Sequence, residues 1–210
     1  QKGHVSADKA DIVEPVAGNM GTVLPRPGFL QNLRRSCTKN KALLIFDEVI
    51  TGFRLCYGGA QTLYKVKPDL TTLGKIIGGG FPIGAVGGKA AVMDQLSPKG
   101  AIYQAGTLSG NPVCVAAGIA TLKQLRALNP YKKLASQTEC LCGGICRKLA
   151  AKGIPNTINQ IGSMFTLFFN DAAVTDHDTA AKSDTKRYAK YFRHTLNNGI
   201  YLPPSQFEAN

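Results

Sequence analysis

Ala42-Leu-Leu-Ile-Phe-Asp47-Glu-Val-Ile-Thr-Gly-Phe-Arg54 and Thr72-Leu-Gly-Lys75-Ile-Ile-Gly-Gly-Gly-Phe-Pro-Ile-Gly-Ala-Val-Gly-Gly88 are the stretches whose reading decides the fold. In the first, an unbroken apolar run from Ala42 to Phe46 stops at an acid. In the second, the run Leu70–Leu73 stops just before a lysine and opens into glycine-rich chain. Continuous apolar strands belong to parallel sheets buried on both faces. Open sheets of this kind bind ligands in the crevice at the carboxyl ends of their strands. Asp47 and Lys75 are therefore expected at one such crevice.

Outward from these strands the pattern alternates strand and helix, which predicts an α/β fold with a mostly parallel sheet and flanking helices. Asp11–Glu14 ends a strand. Pro27 opens a helix with Phe29, Leu30, Leu33 and Cys37 on one face. Ala91–Leu96 reads as helical, and Tyr103–Asn111 as a polar loop. Pro112 starts a helix that runs to about Leu128, where Asn129-Pro130 breaks it. Tyr131, Leu134, Thr138, Leu141, Ile145 and Leu149 mark the next helix. A strand over Met164–Phe169 and a helix over about Thr179–Leu196 follow. A domain boundary is expected near 125–135, giving domains 1–130 and 131–210. The chain opens without Met and ends at Asn210 in mid-pattern, as a piece of a larger enzyme would.

The formal charge of +12 invites a nucleic-acid partner, but the basic pairs Arg34-Arg35, Lys132-Lys133, Arg147-Lys148 and Lys186-Arg187 are scattered along helices. No aromatic residues alternate with them, so they read as solvated faces and no nucleic acid is expected. No apolar run approaches the roughly 18 residues of a membrane span, and Gln1–Asp8 lacks the apolar core of a secretory signal. Cys140-Leu-Cys142-Gly-Gly-Ile-Cys146 does not have the spacing of a structural zinc site and no His follows at ligand distance, so no metal is expected. Free thiols imply a reducing compartment.

Three groups carry candidate chemistry. Lys75 could be a solvated strand-end lysine, or an amine activated by burial to bond an aldehyde, with the glycines admitting a bulky cofactor. Asp47, after four apolar residues, is expected to be deeply buried and must then be paired. Its partner could be a structural cation or a protonated ring nitrogen, while Glu48 alternates away as a structural group. An aldehyde for the lysine and a ring nitrogen for the acid are both met by pyridoxal phosphate. Thr107 and Ser109, with the amides that open the helix after Pro112, could bind a phosphate or simply cap that helix.

Glu14-Pro-Val-Ala-Gly-Asn19-Met-Gly, Phe46-Asp47-Glu-Val-Ile-Thr-Gly-Phe-Arg54, Leu73-Gly-Lys75-Ile-Ile-Gly-Gly-Gly, Tyr103-Gln-Ala-Gly-Thr107-Leu-Ser-Gly-Asn-Pro and Tyr201-Leu-Pro-Pro-Ser-Gln-Phe-Glu208 together resemble the glutamate-1-semialdehyde 2,1-aminomutase family. That family belongs to the class III aminotransferase group of fold-type I pyridoxal-phosphate enzymes. The resemblance implies the C-terminal half of the large domain plus part of a small α+β domain. It implies Lys75 as the lysine that bonds the cofactor and moves protons, Asp47 at the pyridinium nitrogen and Val49 against the ring. Asn19 falls near the cofactor's phenolic oxygen, where many relatives carry Glu. Thr107 would reach the phosphate of the cofactor held mainly by the other subunit, hence a homodimer, and Glu208 would lie beside the substrate pocket. The implied reaction converts glutamate 1-semialdehyde to 5-aminolevulinate, with the cofactor cycling between its pyridoxal and pyridoxamine forms. The implied compartment is the cytoplasm, or the plastid stroma in a photosynthetic eukaryote.

Two other functions fit the residues. An ω-aminotransferase of the same group would need a separate amino acceptor; Asn19 and Ser205-Gln-Phe-Glu208 argue against it. A non-catalytic basic module would show no lysine-bound cofactor, and a catalytically inactive fragment is the further alternative.

Overall fold

A computed structural model describes residues 9–210; the reading of Gln1–Asp8 given above lies outside the described residues. The chain divides into two compact units. Among the described residues, one contains 9–15 and Pro27–Asn129; the other contains Val16–Arg26 and Pro130–Asn210.

The first unit runs β1 (Ala10–Val13), α1 (Phe29–Lys39), β2 (Leu43–Asp47), α2 (Ala60–Tyr64), β3 (Leu70–Leu73), a 3-10 turn (Lys75–Gly78), β4 (Ala85–Gly88), α3 (Ala90–Met93) and α4 (Pro112–Leu128). Its four strands stand in the order β1-β2-β3-β4; the first three are parallel and β4 is antiparallel to β3. Leu30 and Cys37 of α1 pack on Leu44 and Phe46 of β2, with Val66 beside them and Val13, Leu33 and Tyr64 around the edge. Leu30, Leu44 and Phe46 are at most 1% exposed, so each contributes roughly 1.5–3 kcal/mol of burial. Alternation along β2 puts Leu43, Ile45 and Asp47 on the opposite face, where they are only half-buried. The sequence reading has no counterpart for α2 or β4: Ala85-Val-Gly-Gly88 is exposed throughout and glycine-rich, so composition alone reads it as turn.

In the second unit, β5 (Thr157–Ile161) and β6 (Met164–Phe168) form an antiparallel hairpin, accompanied by α5 (Tyr131–Ala150), α6 (His177–Ala181) and α7 (Thr185–Asn197). Every residue of β6 is buried. Leu167 and Phe169 meet Ile145 and Leu149 of α5 and Tyr188, Tyr191 and Phe192 of α7. On the other face Phe168 packs with Val23, Val174 and Ala180, flanked by Ala17, Met20 and Phe207. Val16–Arg26 thus serves as the second cover of β6. The single helix expected over Thr179–Leu196 is two helices. Asp184 breaks it: its N–H donates to the Phe169 carbonyl at 3.0 Å and its carboxylate accepts the Arg187 N–H at 2.9 Å as the cap of α7.

The sheet of the first unit is pinned in register by Asp69, one residue before β3. Asp69 and Leu44 exchange two bonds: the Asp69 N–H donates to the Leu44 carbonyl at 2.7 Å, and the Leu44 N–H donates to Asp69 Oδ2 at 2.7 Å. Arg34 of α1 reaches Oδ2 at 2.6 Å and Lys89 reaches Oδ1 at 2.5 Å, on a carboxylate whose side chain is 3% exposed. Burial alone would raise this carboxyl, but the Leu44 amide and the two cations outweigh it and hold it below the ordinary carboxylate range. The folded state therefore favours the ionised form. Its contribution is complete above the unfolded carboxyl's pKa of about 4 and drains away as pH falls through the lower folded value. Asp69→Asn should lower stability at neutral pH by about 3 kcal/mol, the low end for breaking a buried pair because both cations stay partly in water. The same variant should flatten the fall of melting temperature below about pH 4. Thermal unfolding across pH 2–7, followed by circular dichroism, measures both effects.

Candidate functional site

Asp47 closes β2 and is paired in register with Thr72 of β3. Its Oδ1 accepts the Val49 N–H at 3.0 Å and the Thr72 hydroxyl at 3.3 Å. Oδ2 has no hydrogen bond among the described residues, so one carboxylate oxygen is oriented and the other is left for a donor. The deep burial expected for Asp47 is not found; Asp47 is half-buried because it lies on the sheet face that α1 does not cover. Full burial falls to its neighbour Glu48, which is 0% exposed.

Glu48 builds the turn beyond β2. Its carboxylate accepts the Thr51 hydroxyl at 3.0 Å, the Ala60 N–H at 2.5 Å and the Gln61 N–H at 2.9 Å, neutralising the first amides of α2. Its backbone N–H donates to the Thr72 carbonyl at 3.0 Å and its carbonyl accepts from Gly52 at 2.8 Å. Gly59, at φ +78°, has room for no side chain because a Cβ there would overlap the Glu48 carboxylate. The frame holds Val49 against Gly74: a Cβ on that glycine would meet Val49 Cγ1 at 3.3 Å.

Lys75 begins the 3-10 turn that follows β3, three residues after the partner of Asp47. Asp47 and Lys75 thus leave the carboxyl ends of neighbouring parallel strands, as the sequence predicts from the crevice rule. Lys75 is exposed and forms no ion pair among the described residues. Its φ of +48° is left-handed, an arrangement costing about 1–2 kcal/mol for a residue with a side chain. Surrounding structure enforces it. Ile77 N–H donates to the Gly74 carbonyl at 3.2 Å and Gly79 N–H to the Ile76 carbonyl at 3.0 Å. Behind the turn, α4 approaches backbone to backbone, since a Cβ at Gly118 would overlap the Ile77 carbonyl. Strain kept at a strand end is a mark of functional positions.

Thr107 stands in an exposed turn, Thr107–Gly110, where the Ser109 N–H donates to the Gly106 carbonyl at 2.9 Å. Asn111 Oδ1 already accepts the Val113 and Cys114 amides at 3.1 and 3.2 Å. Those two helix amides are capped, so an anion here would meet the Thr107–Gly110 turn itself. The cap is Asn111, not Thr107 or Ser109 as the sequence's alternative reading had it.

Asn19 and Glu208 both belong to the second unit. Asn19 is exposed and Glu208 half-buried. Their segments touch: the Gly21 N–H donates to the Phe207 carbonyl at 2.9 Å. No group of His, Cys, Asp and Glu fit to hold a metal ion occurs among the described residues. The cysteines of α5 are free, and burial, aided by Cys146, pushes the Cys142 thiol up to about 11, far from a reactive thiolate. Glu48 and Gly118 were the supports that sequence reasoning left without a specific role; the carboxylate beside Asp47 was the available signal for the first.

Strand order, crossovers and the paired strand ends define the fold-type I architecture of aminotransferases. The chain belongs to the class-III aminotransferase family, whose profile matches residues 4–206. It is 57% identical over 200 residues to a glutamate-1-semialdehyde 2,1-aminomutase of Desulforamulus reducens, covering 95% of this chain and 46% of that protein. Its identity to the enzyme of that name from Aquifex aeolicus is 54%, covering 94% and 47%. The chain thus spans about half the length of the curated relatives it matches. Among solved structures, an ω-transaminase from Sphaerobacter thermophilus superposes with a TM-score of 0.86 at 34% identity, covering 94% of this chain and 46% of that one. A glutamate-1-semialdehyde aminomutase from Pseudomonas aeruginosa in complex with PMP superposes with a TM-score of 0.82 at 26% identity, covering 95% and 46%. No described helix is long and apolar enough to cross a membrane.

Two substitutions test the frame around Lys75. Lys75→Gly should be more stable than Lys75→Ala by about 1 kcal/mol, because only glycine is unstrained at this φ. Gly118→Val should destabilise by about 2 kcal/mol through overpacking against the turn. Chemical denaturation of the variants checks both.

Proposed function

We propose that the protein carrying this chain is a pyridoxal-phosphate enzyme that converts glutamate 1-semialdehyde to 5-aminolevulinate by intramolecular amino transfer. The observation that supports it most is the exit of Asp47 and Lys75 from the ends of adjacent parallel strands, in a chain more than half identical to aminomutases over 200 residues. The residues present suit the cofactor: an oriented carboxylate with one oxygen left for a donor, a valine packed on a glycine, and an amine with no competing acid among the described residues. When bound, pyridoxal phosphate supplies an electron sink for a substrate carbanion.

On this reading Asp47 would accept a hydrogen bond from the cofactor's ring nitrogen through the oxygen that Val49 and Thr72 leave open. Val49 packs on the ring face. Lys75 would hold the cofactor through its side-chain amine and would serve as the general base and acid beside it. By resemblance, Asn19 contacts the phenolic oxygen, Glu208 borders the substrate, and Thr107 reaches the phosphate held by the other subunit of a homodimer. The first unit is then part of the large cofactor-binding domain and the second part of the small domain. The enzyme works in the cytoplasm, or in the plastid stroma of a photosynthetic eukaryote.

The ω-transaminase likeness favours a second reading, transfer to a separate acceptor. Purified full-length protein should isomerise the semialdehyde with no added keto acid; an absolute need for one would establish the second reading instead. Borohydride should bleach the visible band of the wild-type protein and leave a cofactor-sized mass on the Lys75 peptide, and Lys75→Ala should lose band and mass alike. A protein with neither signal would overturn both readings.

A further inference from the structure

The strand Met164–Phe168 carries one hydroxyl, Thr166, among four large apolar residues, and both it and Thr22 are 0% exposed. A hydroxyl in such surroundings must be fully partnered. Thr166 Oγ1 accepts the Thr22 N–H at 2.9 Å and lies 3.2 Å from Thr22 Oγ1 and 3.2 Å from the Glu208 carbonyl oxygen. A carbonyl can only accept, so the Thr166 proton goes to Glu208. Thr22 must then supply its own hydroxyl proton to Thr166. The Thr166 hydroxyl so accepts twice and donates once, which exhausts its capacity.

This hydroxyl stands where the Asn19 loop meets the Glu208 segment. The two are also joined directly by the Gly21 N–H on the Phe207 carbonyl, at a glycine with φ +81° whose absent Cβ would stand 2.5 Å from the Phe168 ring. Asn159 Nδ2 holds the Thr22 carbonyl at 2.9 Å, and Gln206 Nε2 holds the Leu167 carbonyl at 2.8 Å. Phe165 and Asn210 exchange backbone bonds of 3.3 and 2.9 Å. Every one of these ties ends on the β5–β6 hairpin or between the two segments.

We propose that Thr166 is a positioning residue whose hydroxyl locks the Asn19 loop and the Glu208 segment into one body, so that the cofactor-side and substrate-side contacts are set together. The assignment of those two sides rests on the function proposed above; the locking itself does not. A valine fills the same space as Thr166 without the hydroxyl, leaving the Thr22 N–H and the Glu208 carbonyl unpartnered. A serine keeps the hydroxyl.

The test uses full-length protein and three variants, Thr166→Val, Thr166→Ser and Thr22→Ala, read first by amide hydrogen exchange. Thr166→Val should speed exchange by about tenfold in both 19–22 and 205–210, the scale of one lost buried hydrogen bond, and Thr166→Ser should restore it. Thr22→Ala is the crossing experiment: a change in one segment should speed exchange in the other, and it serves equally if Thr166→Val does not fold. Faster exchange confined to 19–22 in Thr22→Ala, or a serine variant no better than valine, would overturn the lock. In the cofactor-loaded protein, Thr166→Val should also shift the pH titration of the visible band and raise KM for the semialdehyde, with the serine variant reverting both. Coupled exchange without those two changes would keep the lock and sink the assignment of its sides. A wild-type protein that fails to bind cofactor would sink the proposed function alone.

Discussion

The buried carboxylate of Asp69 is the constraint on which the first unit depends. It binds Arg34 from α1, the Leu44 amide from β2 and Lys89 just past the end of β4, while its own backbone leads into β3. One group thereby fixes four elements against one another. In a sheet, slipping a strand by one residue sends every side chain to the opposite face. A slip of β3 against β2 would break the Asp47–Thr72 pairing and leave the Asp69 charge buried without its partners. The penalty for that unpaired charge makes the register unique, and the register carries Asp47 and Lys75 to adjacent strand ends.

Downstream of that register, one backbone position is held against its own preference. Lys75 sits at a backbone angle that glycine would adopt more cheaply, and Gly118, Gly79 and the Gly74 carbonyl hold it there. Glu48 is a fully buried acid, tolerable because three donors converge on it and two of them are the open amides of a helix start. Its reward is a rigid turn that sets Asp47 and Val49. The adjacent acids differ: among the described residues, half-buried Asp47 keeps one oxygen without a donor, and both oxygens of buried Glu48 are bonded.

The second unit solves a different problem. Its hairpin has only two strands, too few to stand alone in water. Helices cover one face of β6, and a segment remote in sequence, Val16–Arg26, covers the other. The Thr22–Thr166 bonds span 144 residues, and the Gly21–Phe207 bond is longer still in sequence. Segments that bear Asn19 and Glu208 therefore meet because the hairpin needs a cover.

Local pattern was enough to locate β2, β3, α1, α4 and α5, since apolar periodicity, Pro112 and Asn129-Pro130 act within a few residues of where they stand. It also picked out Asp47 and Lys75, because a charge that ends an apolar run is visible in one dimension. Other features belong to contacts between distant residues and have no local signature. Which of two adjacent acids is buried depended on α1 covering only one face of β2. The strand character of Ala85–Val86-Gly-Gly88 came from pairing with β3, and the break between α6 and α7 from Asp184 finding the Phe169 carbonyl. The attachment of Val16–Arg26 to the second unit was settled by an open strand face, and burial of that face is a property of the assembled chain alone.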